Sequence, residues 1–187
     1  MTCLIPKSDE WRTRSWLACA GLLLSAAVLM AADLRVTPIS TDGRVFASVA
    51  APTAYTADLR EAVQSGLPVT LTFVIDLKRP STIWFDRTVT TTTVASMVKF
   101  DNLTRQYQVS KLSEGRVVSS QRTGNEDEMR VWVTEFEHVP LSNGDSMEPN
   151  AEYYVRVRVR CSPHRSFFLW PWSRDDADVR ADFTYIR

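Results

Sequence analysis

Val69, Leu71, Phe73, Ile75 and Leu77 alternate with Thr70, Thr72, Asp76 and Lys78. Period two marks a strand with one face buried and one in water. The same alternation runs through Val45, Ala47 and Val49, then Tyr153, Val155, Val157, Val159 and Cys161, then Val179, Ala181, Phe183 and Tyr185. Leu34 and Val36 make a short strand that Pro38 is expected to close, and Asp42-Gly43 reads as a tight turn. Ile83-Trp84-Phe85, the β-branched run Thr88 to Phe100, the turn Asp101-Asn102, the segment Leu103 to Val109, the turn Glu114-Gly115 and Val117-Val118 together read as a β-meander over 83–120.

Two stretches follow a different period. Leu59, Ala62 and Val63 share one face of a short helix over Ala57 to Ser65, with Gly66 as its cap. Residues 125–138 are ambiguous. Met129, Trp132, Val133 and Phe136 recur at helical spacing and Asn125 with Glu128 forms a capping pair, whereas Met129, Val131 and Val133 alternate as a strand would. The helical reading is favoured. The expected fold is therefore mainly β, an antiparallel immunoglobulin-like sandwich with one or two short helices.

A separate object precedes it. Lys7, Arg12 and Arg14 form a basic region, and Trp16 to Ala32 then carries no charge. Basic first and apolar second is the order of an export signal, with cleavage after Ala31 or Ala32. The run also sits at the lower limit for a membrane span, so an uncleaved N-terminal hydrophobic anchor helix is the rival. In both readings residues 33–187 are exported, to the bacterial periplasm, either soluble or tethered to the inner membrane. The organisation is 1–32 as signal or anchor and 33–187 as one β domain.

Charge limits the function. The chain holds 22 basic and 22 acidic residues. Residues 33–187 keep 19 and 20, so nucleic acid is not expected as a partner, because phosphate affinity needs an excess of basic charge. Cys161 is the one cysteine left in the exported part and is expected to be buried and inert. Neither His138 nor His164 has metal-ligand spacing, and no phosphate loop or nucleophile elbow occurs. Asp76, Asp86 and Asp101 are carboxylates that only a fold can bring together. No cofactor and no catalytic residue is assigned.

Met147-Glu-Pro149-Asn-Ala-Glu-Tyr153-Tyr-Val155-Arg-Val157 resembles the tyrosine corner of fibronectin type III and immunoglobulin-like domains. There a tyrosine hydroxyl bonds back to nearby backbone as the strand enters the core. The wider layout resembles an exported bacterial family of unknown function. The resemblance rests on Leu59-Arg60-Glu61-Ala62, Gly66-Leu67-Pro68, Trp84-Phe85-Asp86-Arg87, Phe100-Asp101-Asn102-Leu103-Thr104-Arg105-Gln106-Tyr107 and Tyr153-Tyr154-Val155-Arg156-Val157-Arg158. It implies an envelope protein and supplies no catalytic residues.

Two features are candidates for contact. Arg156, Arg158 and Arg160 share one strand face, continued by His164 and Arg165. They suit an anionic partner, or, as the balanced charge favours, they pair with Asp178 and Asp182 across the sheet. Phe167, Phe168, Leu169, Trp170 and Trp172 form an aromatic loop that either meets a partner or membrane interface or folds back to close the core. Trp84 and Phe85 are expected in the core. The expected function is a non-catalytic envelope module acting on a protein or a membrane surface. The alternatives are a small-ligand protein or enzyme with a pocket between sheet and helix, and an inner-membrane-anchored scaffold or sensory accessory.

Overall fold

The computed structural model describes residues 34–82, 85–163 and 177–186. Nine strands and two helices follow in the order β1 (Arg35–Thr41), β2 (Arg44–Ala50), α1 (Ala57–Gln64), β3 (Val69–Arg79), β4 (Arg87–Asp101), β5 (Gln106–Ser113), β6 (Arg116–Thr123), α2 (Glu126–Thr134), β7 (Glu135–Ser142), β8 (Glu152–Pro163) and β9 (Ala177–Thr184). A short 3-10 turn, Pro52–Ala54, leads into α1.

The strands form two antiparallel sheets. One has the order β1-β2-β7 and the other β6-β5-β4-β3-β8-β9. The period-two residues explain the layering. Val69, Leu71, Phe73, Ile75 and Leu77 are fully buried, as are Val155 and Val157 of the neighbouring β8. Val45, Ala47 and Val49 of β2 and Phe136, Val139 and Leu141 of β7 join the same core cluster. Phe73 and Phe136 meet edge to face across it, centroids 5.1 Å apart.

At the turn into β8 the Tyr153 hydroxyl meets backbone five residues upstream. The Glu148 N–H donates to the Tyr153 hydroxyl at 2.8 Å, and Tyr153 is buried. Arg79, at the end of β3, grips the Glu148 carboxylate through two nitrogens at 2.6 and 2.7 Å, so the corner is tied to the central strand. Nearby, the Tyr185 hydroxyl donates to the Gly43 carbonyl. Gly144 adopts φ +80 beside them, and a Cβ there would collide with both groups.

Several expectations change. Pro38 does not close β1, which continues to Thr41. The strand lies at the edge of its sheet, where a missing N–H breaks no ladder on the open side. The ambiguous segment is both elements in succession. Helix α2 ends at Thr134, whose hydroxyl bonds back to the Arg130 carbonyl, and Glu135 is already extended. Phe136, read as the last helical contact, belongs to β7 and pairs with Val49. The capping pair also differs in detail. Asn125 Oδ1 accepts from the Asp127 and Glu128 N–H groups, but the Glu128 carboxylate accepts from Thr123 Oγ1, which in turn accepts from the Asn125 N–H. The described part of the meander begins with β4 at Arg87; Ile83 and Trp84 lie outside the described residues. Phe85 is 93 % exposed in the β3–β4 loop instead of packed in the core. Cys161 is exposed rather than buried, because it stands past the last described β8–β9 pair, Val159 with Ala177, and has a described strand neighbour on the β3 side alone.

Candidate functional site

The outer face of the six-stranded sheet carries the arginines singled out above. Buried Val155, Val157 and Val159 alternate with Arg156, Arg158 and Arg160, so all three guanidinium groups stand on the side away from the core. Register decides their partners. Arg156 lies opposite Asp76 on one side and Arg180 on the other, and Arg158 lies opposite Val74 and Asp178. Each arginine reaches diagonally. Arg156 pairs with Asp178 through Nε at 2.9 Å to both carboxylate oxygens, and Arg158 donates to Asp76 at 2.9 Å.

Asp76 is the buried member, 5 % exposed, and it also accepts from the Thr91 hydroxyl at 2.7 Å. Arg158 Nε is buried with no hydrogen-bond partner. Asp182 pairs with Arg180 rather than with the ladder, and Arg180 lies over the Tyr154 ring, 3.8 Å from its centroid. The Tyr154 hydroxyl donates to Asp86 at 2.6 Å. That bond, with a second from the Ser81 N–H, holds the Asp86 carboxyl below its ordinary range. Burial, then the same carboxylate, pushes the Tyr154 phenol up. The bond to Arg156 likewise holds Asp178 low.

The three carboxylates considered together do not meet. Asp76 is mid-strand, Asp86 precedes β4, and Asp101 caps the turn at the far end of β4 by accepting from the Leu103 and Thr104 N–H groups. His138 stands exposed at φ +50. Among the described residues no three His, Cys, Asp or Glu side chains gather as metal ligands. Cys161 Sγ lies 3.8 Å from the Ala54 carbonyl. Arg165 and the aromatic loop residues Phe167, Phe168, Leu169, Trp170 and Trp172 lie outside the described residues, as does the segment 1–32.

A second feature was not visible in the sequence. A cavity of about 390 Å³ opens between the helices, lined by Tyr55, Thr56, Arg60, Glu126 and Arg130 among others. Arg60 and Glu126 bridge it with bonds of 2.6 to 2.8 Å. The Tyr55 hydroxyl is buried without a partner, and burial followed by Glu126 pushes its phenol up to about 12. The residues come from sequence positions about seventy apart, and only the packing of α1 beside α2 unites them.

Residues 31–165 match the family model described as Domain of unknown function (DUF4390). The chain belongs to the DUF4390 family. The match spans β1 to β8, so the arginine ladder and the interhelical cavity lie inside the DUF4390 region, while β9 lies beyond it. No curated protein and no solved structure matches the chain. Among the described residues no helix is long and apolar enough to cross a membrane.

Proposed function

We propose that this chain is an exported bacterial envelope module of immunoglobulin-like architecture, acting by surface contact at the membrane rather than by catalysis. The strand order supports the architecture. The order β9-β8-β3-β4-β5 opposite β1-β2-β7 corresponds to G-F-C-C′-C″ opposite A-B-E in variable-type domains, with β6 extending the larger sheet. The bonded tyrosine at the start of β8 stands where such domains carry it.

The observation that carries the function is the make-up of one end of the domain. Val69 pairs with Val98 and Pro163, which sets the start of β3 beside the ends of β4 and β8. Gly66 packs near Asn102, joining the turn after α1 to the β4–β5 turn. Here Leu67 is half exposed and Leu103 is 95 % exposed. The chain enters β1 at this same end, since Arg35 pairs with Ala50 and the Ala54 carbonyl lies by Cys161. The start of β1 and the end of β8 at Pro163 thus both fall at the end that shows bare leucines. An anchored domain would rest this end on the bilayer.

Quenching by lipid tests the reading. A fluorophore is placed at Leu103→Cys or at Phe85→Cys in the full chain, with the native cysteines replaced by serine, and the protein is reconstituted in vesicles with brominated lipid. The label at 103 should be quenched and the label at 85, at the opposite end, should not. Equal quenching at both positions would refute the membrane-surface reading. A second reading, a small-ligand protein, is favoured by the partnerless Tyr55 hydroxyl at the interhelical cavity. A thermal shift with polar metabolites that vanishes in Tyr55→Phe would support it.

A further inference from the structure

Four charged side chains line the cavity between the helices: Arg60, Glu126, Asp127 and Arg130. Arg60 and Glu126 pair with each other. Glu126 stands four residues before Arg130 on α2, the favoured order for an ion pair within a helix. It turns to Arg60 of α1 instead, and the Arg130 guanidinium has no ion-pair partner among the described residues. The Asp127 carboxylate has none either. Asp127 and Arg130 are spaced to bridge each other and do not, and both are exposed. One cation and one anion therefore face the same cavity unpaired.

The Tyr55 hydroxyl is a third group without a partner. Its burial and the nearby Glu126 keep it a neutral phenol, with an O–H to donate. A buried hydroxyl without a bond is a cost to the fold that a bound acceptor would remove. Water does not reach the oxygen in this arrangement. Arg60, one of its charged neighbours, has a side chain more than half exposed, so a ligand can shift it on entry. The groove at Trp132 differs. It has a volume of about 430 Å³ and is lined by Gln121, Asp127, Glu128, Val131 and Trp132, with no basic group among them.

We propose that the interhelical cavity binds the zwitterionic head group of an amino acid. The inference rests on the small-ligand reading of this cavity and gives it a ligand class. Side chains three residues apart on a helix are neighbours, about 5–6 Å between Cβ atoms. An α-amino acid carries its ammonium and its carboxylate on adjacent carbons, so one molecule can meet both Asp127 and Arg130. The ammonium faces Asp127. The carboxylate faces Arg130 and accepts from the Tyr55 hydroxyl. The Thr56 hydroxyl and the Arg60–Glu126 pair remain for a polar side chain. A simple anion is disfavoured, because Asp127 would stand beside it as a like charge, and Arg130 opposes a simple cation in the same way. The volume of about 390 Å³ lies toward the small end of ligand pockets, which suits a molecule of this size.

The protein amino acids are titrated singly into the full chain in detergent by calorimetry, beside glucose and citrate. The amino acid that binds most tightly is then compared with its N-acetyl form, which lacks the ammonium, and with its α-carboxamide, which lacks the carboxylate. Each loss should weaken binding about tenfold. Arg130→Gln should abolish the preference for the acid over the carboxamide and keep the preference for the free amine. Asp127→Asn should do the reverse. Both variants alter exposed, unpaired side chains, so the fold should survive them. Selectivity unchanged in both variants would place the amino acid elsewhere on the molecule and overturn the proposal. Binding of citrate or glucose alone, lost in Tyr55→Phe, would overturn the amino-acid assignment and leave the small-ligand reading standing. If none of the compounds binds, both fall.

Discussion

The two edges of the six-stranded sheet are built in opposite ways. β9 is wired down. Asp178, Arg180 and Asp182 occupy its outer face, Arg156 holds Asp178, and Arg180 lies over Tyr154. Just beyond β9, the Tyr185 N–H and carbonyl bond to Ala151 and Asn150, and Ser40 reaches the Ile186 carbonyl. β6 has a single bonded neighbour, two exposed valines, and one interstrand hydroxyl pair, Ser110 with Ser120 at 2.9 Å. Charge density and chain ends close one edge, and their scarcity leaves the other available. Arg156 and Arg158 are thus engaged within the sheet, and exposed apolar side chains stand at the far edge instead.

The largest effect should come from the centre of the wired half. Asp76→Ala removes the one carboxylate that is buried on the outer face among the described residues and deprives Arg158, whose Nε already lacks a partner, of its bonded counter-charge. Arg158 is about a third exposed, so water relieves part of the loss. The expected cost is about 2–3 kcal/mol in urea unfolding. A cost near zero would show that the ladder does not brace the sheet. Next comes the corner. Tyr153→Phe keeps the ring in the core and strands the Glu148 N–H, which should cost about 1–2 kcal/mol by the same measurement.

The contrast between these sites and β6 explains what the sequence could convey. Alternation at Val69 to Leu77 and at Tyr153 to Val159 identified the central strands, because burial on one face imposes period two. The spacing from Met147 to Tyr153 identified the corner bond, because a tight turn fixes it locally. Residues 125–138 defeated that approach, since a helix and a strand meet at Thr134 and their two periods overlap. Phe85 shows the opposite error, an aromatic residue left in water by a loop. The pairing of Arg156 with Asp178 was anticipated, but Arg158 chose Asp76, which only strand order brings alongside. The groove at Trp132 and the cavity at Tyr55 were illegible for the same reason, being made by packing between distant segments.

Acid should loosen the wired edge first. Arg156 holds the Asp178 carboxyl below its ordinary value, and the Tyr154 hydroxyl does the same for Asp86. A carboxylate with a lowered folded pKa stabilises the fold above its unfolded pKa, and that contribution is lost as pH falls through the folded pKa. Amide exchange in β9, corrected for intrinsic rates, should therefore accelerate as pH drops below the normal carboxylate range. Exchange in β6, which meets Glu128 at Thr123 but forms no ion pair among the described residues, should change less. High salt should have a smaller effect in the same direction, because the Arg156 and Asp178 side chains are both about 40 % exposed. Equal acceleration at both edges would erase the distinction.

The smallest expected change is the most informative about β6. Val117→Thr and Val118→Thr keep the branched side chain and its strand preference while removing the exposed apolar surface. If those valines served folding, each substitution would destabilise the domain. Both are more than half exposed, so each should shift stability by less than about 0.5 kcal/mol. A stability loss comparable to that of Tyr153→Phe would mean that β6 is packed against something in the folded monomer. An unchanged stability would show that the two valines carry no packing the fold needs, unlike the ion-paired side chains of β9.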